Sequence, residues 1–156
     1  MNVVFLDVDG VLNSLPFFNN SGSELNPENV KNLEEICDRG NAVVVLASTW
    51  RELKGASGDA GALYERLLCT LDEYGVVVID STPVLRNKRP LEIATWLKEN
   101  SVDCFVILDD DFPKCEYDEY GLGEFLVQTK FFCERLEDGG LQKEHVKQAL
   151  AILDVV

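Results

Sequence analysis

Long hydrophobic runs are missing from this 156-residue chain: nothing approaches the roughly eighteen continuous apolar residues of a membrane span. A basic, apolar leader with a small-residue cleavage site is missing too, so export is not expected and a cytoplasmic location is. The five cysteines (Cys37, Cys69, Cys104, Cys115 and Cys133) are an odd number with no C-x-x-C pair, which resembles neither a zinc site nor a disulfide framework. Cys37, Cys69 and Cys104 are expected to pack as small apolar side chains. Histidine occurs once, at His145 on the last helical stretch, where a surface position is expected, so no soft-metal cluster competes. Bases are few, 14 against 28 acids, for a net charge of −14. No basic stripe is visible, which disfavours broad nucleic-acid binding without excluding a local patch of Arg51, Arg86, Lys88 and Arg89. The D-x-D-x-D-G spacing of a calcium loop is also lacking.

What is present is an ordinary globular composition, 46% hydrophobic and 27% charged, in a length that fits one domain over residues 1–156. Five short runs of Val, Ile, Leu and Phe read as strands: Asn2 to Leu6, Ala42 to Ala47, Val76 to Ile79, Cys104 to Leu108 and Phe125 to Gln128. They show little period-two alternation, as expected of strands covered on both faces of a parallel sheet. Helical stripes lie between them. Pro27 to Arg39 carries Val30, Leu33, Ile36 and Cys37, with Asn26 as N-cap and Gly40 as stop. Ala60 to Tyr74 is closed by Gly75, Pro90 opens a third helix, and Glu144 to Leu153 forms a fourth. This alternation predicts an α/β three-layer sandwich around a central, mainly parallel five-stranded sheet. Leu12 to Leu25 reads as a short flap and Asp110 to Glu124 as a surface loop, neither long enough for a cap domain.

Ligands of open parallel sheets bind beyond the carboxyl ends of the strands. There the first strand delivers Asp7 and Asp9, followed by Gly10; the second delivers Ser48 and Thr49, followed by Trp50 and Arg51; the fourth delivers Asp109, Asp110 and Asp111. Lys88 and Arg89 precede the helix leading into that fourth strand. Crowded carboxylates repel unless protonated or bridged by a cation. An all-oxygen set that keeps some water matches Mg²⁺, which commonly pairs carboxylates with a substrate phosphate. A carboxylate nucleophile, a metal and a cation clamp are suited to phosphate-ester hydrolysis.

Phe5-Leu6-Asp7-Val8-Asp9-Gly10-Val11-Leu12 resembles the first motif of the haloacid dehalogenase (HAD) superfamily. Val44 to Thr49 is similar to the second motif, Lys88 or Arg89 to the third, and Val106-Ile107-Leu108-Asp109-Asp110 to the fourth. Asp9-Gly10-Val11-Leu12-Asn13, Ser48-Thr49-Trp50-Arg51, Arg89 with Glu92-Ile93 and Trp96-Leu97, Leu108 to Asp111, Val127-Gln128-Thr129 and Gly140-Leu141 occur in that order. Together they resemble the cap-less HAD domain of Swiss Army Knife RNA repair proteins over nearly the whole chain.

The resemblance implies a HAD-like Rossmannoid fold and a Mg²⁺-dependent phosphatase. Asp7 is the implied nucleophile, and Asp9 the acid and base. Ser48 or its neighbour Thr49 binds a phosphoryl oxygen, and Lys88 or Arg89 neutralises charge. Asp7, Asp9, Asp109 and Asp110 form the implied metal set, with Asp109 in direct contact and Asp110 acting through water. Thr49, Arg51 and Gly10 are candidate substrate-binding positions; an ion pair is the competing expectation for Arg51, with Glu92 as partner of Arg51 or Arg89. Trp50 and Trp96 are expected in the core, and Asp111 as a solvated acid. The implied partner is a phosphorylated substrate: a nucleic-acid end (disfavoured by the net charge), a nucleotide, or a small metabolite. A non-catalytic binding module and a dehalogenase are the alternatives, and the pairing of Asp7 with Asp9 argues against both.

Overall fold

The structure, a computed structural model, describes residues 1–155. Its centre is one five-stranded, all-parallel sheet: β1 Asn2–Leu6, β2 Ala42–Leu46, β3 Val78–Ser81, β4 Cys104–Asp109 and β5 Leu126–Gln128, in the order β3-β2-β1-β4-β5. Among the described residues six α-helices connect or flank them: α1 Leu15–Ser21, α2 Pro27–Gly40, α3 Gly58–Glu73, α4 Arg89–Glu99, α5 Lys114–Asp118 and α6 Lys143–Ile152. This is the expected α/β sandwich.

The apolar runs are continuous because alternate residues serve two different cores. Val4, Leu6, Val44, Leu46, Val106 and Leu108 pack with α2, α3 and α6 through Leu33, Ile36, Leu67, Leu71, Val146 and Leu150. Val3, Phe5, Val45 and Ile107 face the other way, against Ile93 and Trp96 of α4 and Tyr117 of α5. Phe5 meets Trp96 edge-on at 5.4 Å between ring centres. The central strand β1 is thus buried on both faces, and whatever follows Leu6 is held rigidly.

Helix ends follow local chemistry. The Asn26 side chain accepts from the Glu28 N–H at 3.0 Å and caps α2, with Pro27 in its first turn. The helix then continues through Gly40, where a stop was expected, and ends at Asn41 with φ 46°. Asparagine tolerates that left-handed turn. Gly40 leaves room for Leu153, whose Cδ1 would lie 2.8 Å from a Cβ there.

Other boundaries also differ. The third strand begins two residues later than its apolar run suggests, because Val76 is buried and its N–H closes the end of α3 on the Leu71 carbonyl. The stretch Leu12 to Leu25 is not merely a flap: it contains α1, with Pro16 at its start and Phe17 buried. The stretch Asp110 to Glu124 contains α5, anchored by the fully buried Tyr117. No segment among the described residues forms a cap domain, and no helix among them is long and apolar enough to cross a membrane. All five cysteines are free. Cys37 is buried as expected and Cys104 partly so, whereas Cys69 lies on the exposed side of α3.

Candidate functional site

The chain reverses direction across the sheet between β1 and β4, the position where open α/β sheets take ligands. Leu6 and Leu108 are paired, and the Asp7 N–H donates to the Leu108 carbonyl at 3.1 Å, so Asp7 and Asp109 leave adjacent strands side by side. The same ladder continues outward on both flanks. The Ala47 N–H donates to the Leu6 carbonyl at 2.9 Å, and the Thr129 N–H to the Asp109 carbonyl at 3.1 Å. Ser48 and Thr129 therefore stand at the neighbouring strand ends.

Asp7, Asp109 and Asp110 each offer an oxygen within 4.8 Å of the other two, a set that could hold a metal ion. The donors are all oxygen, which fits a hard divalent cation. Arg89 closes the inner side. Its Nη1 donates to Asp7 Oδ2 at 2.9 Å and to Asp109 Oδ1 at 2.6 Å. The guanidinium carbon lies 5.0 Å from the centre of the Phe112 ring. Of the two candidate cations, the structure places Arg89 in the cluster and leaves Lys88 exposed at the N-cap of α4.

Asp109 is fully buried, and its two oxygens are heavily used. Besides Arg89 they accept from the Asp111 N–H at 3.0 Å, the Phe112 N–H at 3.4 Å and the Tyr117 hydroxyl at 2.6 Å. A carboxylate accepts about four hydrogen bonds, so little capacity remains. Asp110 is half-buried, with its carboxyl beside those of Asp7 and Asp109. Burial pushes Asp110 up to about 6, helped by the charges of Asp109 and Asp111 and opposed by the neighbouring Asp7 carboxyl. Asp7 is raised well above the usual range by burial; Arg89 opposes that shift, while Asp109 and Asp110 add to it. Burial works against the charge on Arg89, but Asp7 and Asp109 outweigh it and raise its pKa.

The loop after β1 is built to bring backbone close to Asp110. Gly10 has φ +83°, and a Cβ on it would lie 2.1 Å from Asp110 Cγ, so both the turn and the space demand glycine. Buried Asn13 pins this loop: its Oδ1 accepts from the Gly10 N–H at 2.8 Å, while its Nδ2 donates to Asp9 Oδ1 at 3.0 Å and to the Glu24 carbonyl at 2.8 Å. The Gly10 carbonyl accepts from Thr129 Oγ1 at 2.5 Å. Asp9 itself is exposed at the mouth, its other oxygen accepting from Trp50 Nε1 at 3.1 Å.

Of the remaining candidates, Ser48 is buried with its Oγ accepting from the Trp50 N–H at 3.2 Å, capping the 3₁₀ turn Thr49–Leu53. Thr49 is exposed. Arg51 is buried away from solvent in a different network. It pairs with Glu92 Oε2 at 2.7 Å and donates to the carbonyls of Ser48 at 2.5 Å and Thr82 at 3.0 Å. The competing expectation for Arg51, an ion pair with Glu92, is thus the geometry found. The basic patch does not assemble either: Arg51 and Arg89 are inside, and only Arg86 and Lys88 are exposed. Asp111 is exposed, and His145 is half-buried, its Nδ1 accepting from the Gln142 N–H at 2.9 Å. Burial lowers its pKa.

Asn13, Trp50 and Tyr117 are the residues that reading the sequence did not assign to the site. A polar group on each reaches an acid of the first or fourth motif; the segments Asp9-Gly10-Val11-Leu12-Asn13 and Ser48-Thr49-Trp50-Arg51 could have flagged Asn13 and Trp50, whereas nothing flagged Tyr117. Comparison with curated proteins and with solved structures gives no match. Residues 3–146 match the family described as the HAD domain in Swiss Army Knife RNA repair proteins. That span runs from β1 into α6 and takes in the whole sheet but for Asn2, with each acid of the cluster, so the chain belongs to this HAD-domain family.

Proposed function

We propose that the chain is a Mg²⁺-dependent phosphomonoester hydrolase that works through a covalent phosphate on Asp7. The observation that carries this reading is the placement of Asp7: buried at the end of the central strand, beside Asp109 and Asp110, and bound by Arg89. Surplus negative charge in such a place costs stability unless a cation offsets it, and a cation held there can in turn receive a phosphate.

Asp7 and Asp110, with the backbone carbonyl of Asp9, are the residues that would hold Mg²⁺. Asp109 is better suited to fixing Arg89, given the four donors its oxygens already accept. This exchanges the roles that family resemblance gives the two acids. The ion, when bound, supplies charge stabilisation for the phosphoryl oxygens. A carboxylate oxygen of Asp7 forms the bond to phosphorus as the ester P–O bond breaks, and the departing oxygen takes its electron pair and a proton from Asp9. Arg89 offsets charge on the phosphoryl group. A water then attacks phosphorus, Asp9 takes its proton, and the Asp7–phosphate bond breaks to release inorganic phosphate. Asn13 and Trp50 hold Asp9 over this site. Nucleotide or nucleic-acid phosphates are the substrate class that the family suggests, and the net charge of −14 favours small substrates over long polyanions.

Hydrolysis of p-nitrophenyl phosphate tests the reading. Turnover should require Mg²⁺ and fall to background in Asp7→Asn. Turnover that survives the substitution, or that ignores chelation of the metal, contradicts it.

A further inference from the structure

Beyond β5 lies a feature that the chemistry above does not use. A cleft of about 450 Å³ is lined by Asp110, Asp111, Thr129, Lys130, Phe131 and Phe132, so it shares a wall with the acidic cluster. Phe132 is 78% exposed, more than any other large hydrophobic side chain among the described residues. Its ring is nonetheless supported: it meets Phe131 edge-on at 4.9 Å, and Phe131 in turn meets Phe18 of α1 at 5.9 Å.

The backbone beneath is tied down at three points. Thr129 Oγ1 donates to the Gly10 carbonyl at 2.5 Å, the Leu15 N–H donates to the Phe131 carbonyl at 2.9 Å, and the Gly140 N–H to the Lys130 carbonyl at 2.9 Å. Two of these bonds run to the segment that follows the catalytic strand. An exposed aromatic ring on a floppy loop would be an accident of the surface. This one is held in a fixed relation to Asp110, and Lys130 places the only cation of the cleft beside it.

We infer that this cleft is the leaving-group subsite, and that Phe132 stacks on the nucleobase of a phosphorylated nucleotide unit while Lys130 offsets the acids around it. The inference rests on the phosphohydrolase reading for the phosphate end and names the other end of the substrate. A flat heteroaromatic ring matches an exposed phenyl face, and its phosphate then reaches the cluster along the shared wall at Asp110. Stacking of a base on an aromatic side chain corresponds to about a 5- to 100-fold change in affinity when the ring is removed.

The test has a binding arm and a turnover arm. Binding of AMP, of a 5′-phosphorylated tetranucleotide and of inorganic phosphate is measured on Asp7→Asn protein with Mg²⁺, with and without Phe132→Ala and Phe132→Tyr. AMP should bind more tightly than inorganic phosphate; Phe132→Ala should weaken it about 5- to 100-fold, and Phe132→Tyr should restore it. If the tetranucleotide shows the larger loss, the base belongs to a strand end; if AMP does, to a free nucleotide; both support the subsite. In turnover, the ratio of kcat/KM for AMP to that for acetyl phosphate should fall in Phe132→Ala. AMP binding no tighter than inorganic phosphate, or binding indifferent to Phe132, overturns the inference. Absence of acetyl phosphate hydrolysis in the otherwise native protein would overturn the phosphohydrolase reading instead, and the binding arm would still judge the subsite.

Discussion

Trp50 is mostly core by burial, yet its one polar atom is spent on Asp9. A hydrogen bond to a charged group contributes about 1.5–3 kcal/mol, and much of that here serves orientation rather than stability. Trp50→Phe keeps most of the apolar bulk and removes the donor. The expected outcome is a fall in kcat of about tenfold or more, with KM for p-nitrophenyl phosphate little changed, read in steady-state kinetics. An unchanged kcat would mean that Asn13 alone suffices to hold Asp9. Arg89 shows the same economy on the other side of the site, where one nitrogen bridges the acids of two strands. Trp50 as the partner of Asp9 could not be found from the sequence, whereas Arg89 was one of its two candidate cations. A strand-end aspartate is legible because an apolar run points to it, but the identity of its donor is decided by which turn folds over it. The choice between Lys88 and Arg89 turned on the same thing: adjacent residues at a helix start point in different directions, and spacing alone does not say which one faces the sheet.

Among the elements, α4 does the most to assemble the site, since it carries both Arg89 and Glu92. Glu92 Oε2 accepts from Arg51 Nη2 at 2.7 Å and from the Leu85 N–H at 2.6 Å. Arg51 in turn bonds the carbonyls of Ser48 and Thr82, so one buried ion pair joins the ends of β2 and β3 to the start of α4. Removing one partner of a buried pair strands the other charge, at a cost of roughly 3–5 kcal/mol. Glu92→Ala should therefore lower the unfolding free energy read from urea denaturation by that much, whereas Glu92→Gln should cost less because an acceptor oxygen remains. Equal stability for Glu92→Ala and the native chain would refute this account of α4. The strands β1, β2 and β4, the helix α2 and the start of α4 could be read almost to the residue, because apolar periodicity, the Asn26 cap and the prolines at helix starts are local signals. The edge strand β3 was displaced and α1 and α5 were missed, because their form depends on contacts elsewhere. Val76 is drawn into closing α3, and Tyr117 is held by a distant carboxylate.

On the scale of the whole molecule, the acidic cluster is a local liability that a metal should convert into an asset. The folded-state pKa of Asp110, about 6, lies above its ordinary value of 3.8. Between those pH values the metal-free folded chain binds more protons than the unfolded one, so its stability falls as pH rises through about 6. With allowance for solvent screening of a half-buried group, the loss is on the order of 1–2 kcal/mol. Thermal melts of metal-free protein should show Asp110→Asn gaining on the native chain between pH 4.5 and about 7. Mg²⁺ should raise the melting temperature of the native chain at pH 7 and that of Asp110→Asn much less. A pH-independent difference between the two proteins would contradict the raised pKa of Asp110.

The most direct test of the central claim is chemical capture of the phosphate on Asp7. Protein turning over p-nitrophenyl phosphate with Mg²⁺ is quenched and treated with borohydride, which reduces an acyl phosphate at an aspartate to homoserine, and the peptide holding residue 7 is sequenced by mass spectrometry. Homoserine is expected at position 7, dependent on both substrate and metal, and none at Asp9, Asp109 or Asp110. Sustained turnover with an unmodified Asp7, or homoserine at another aspartate, would contradict it.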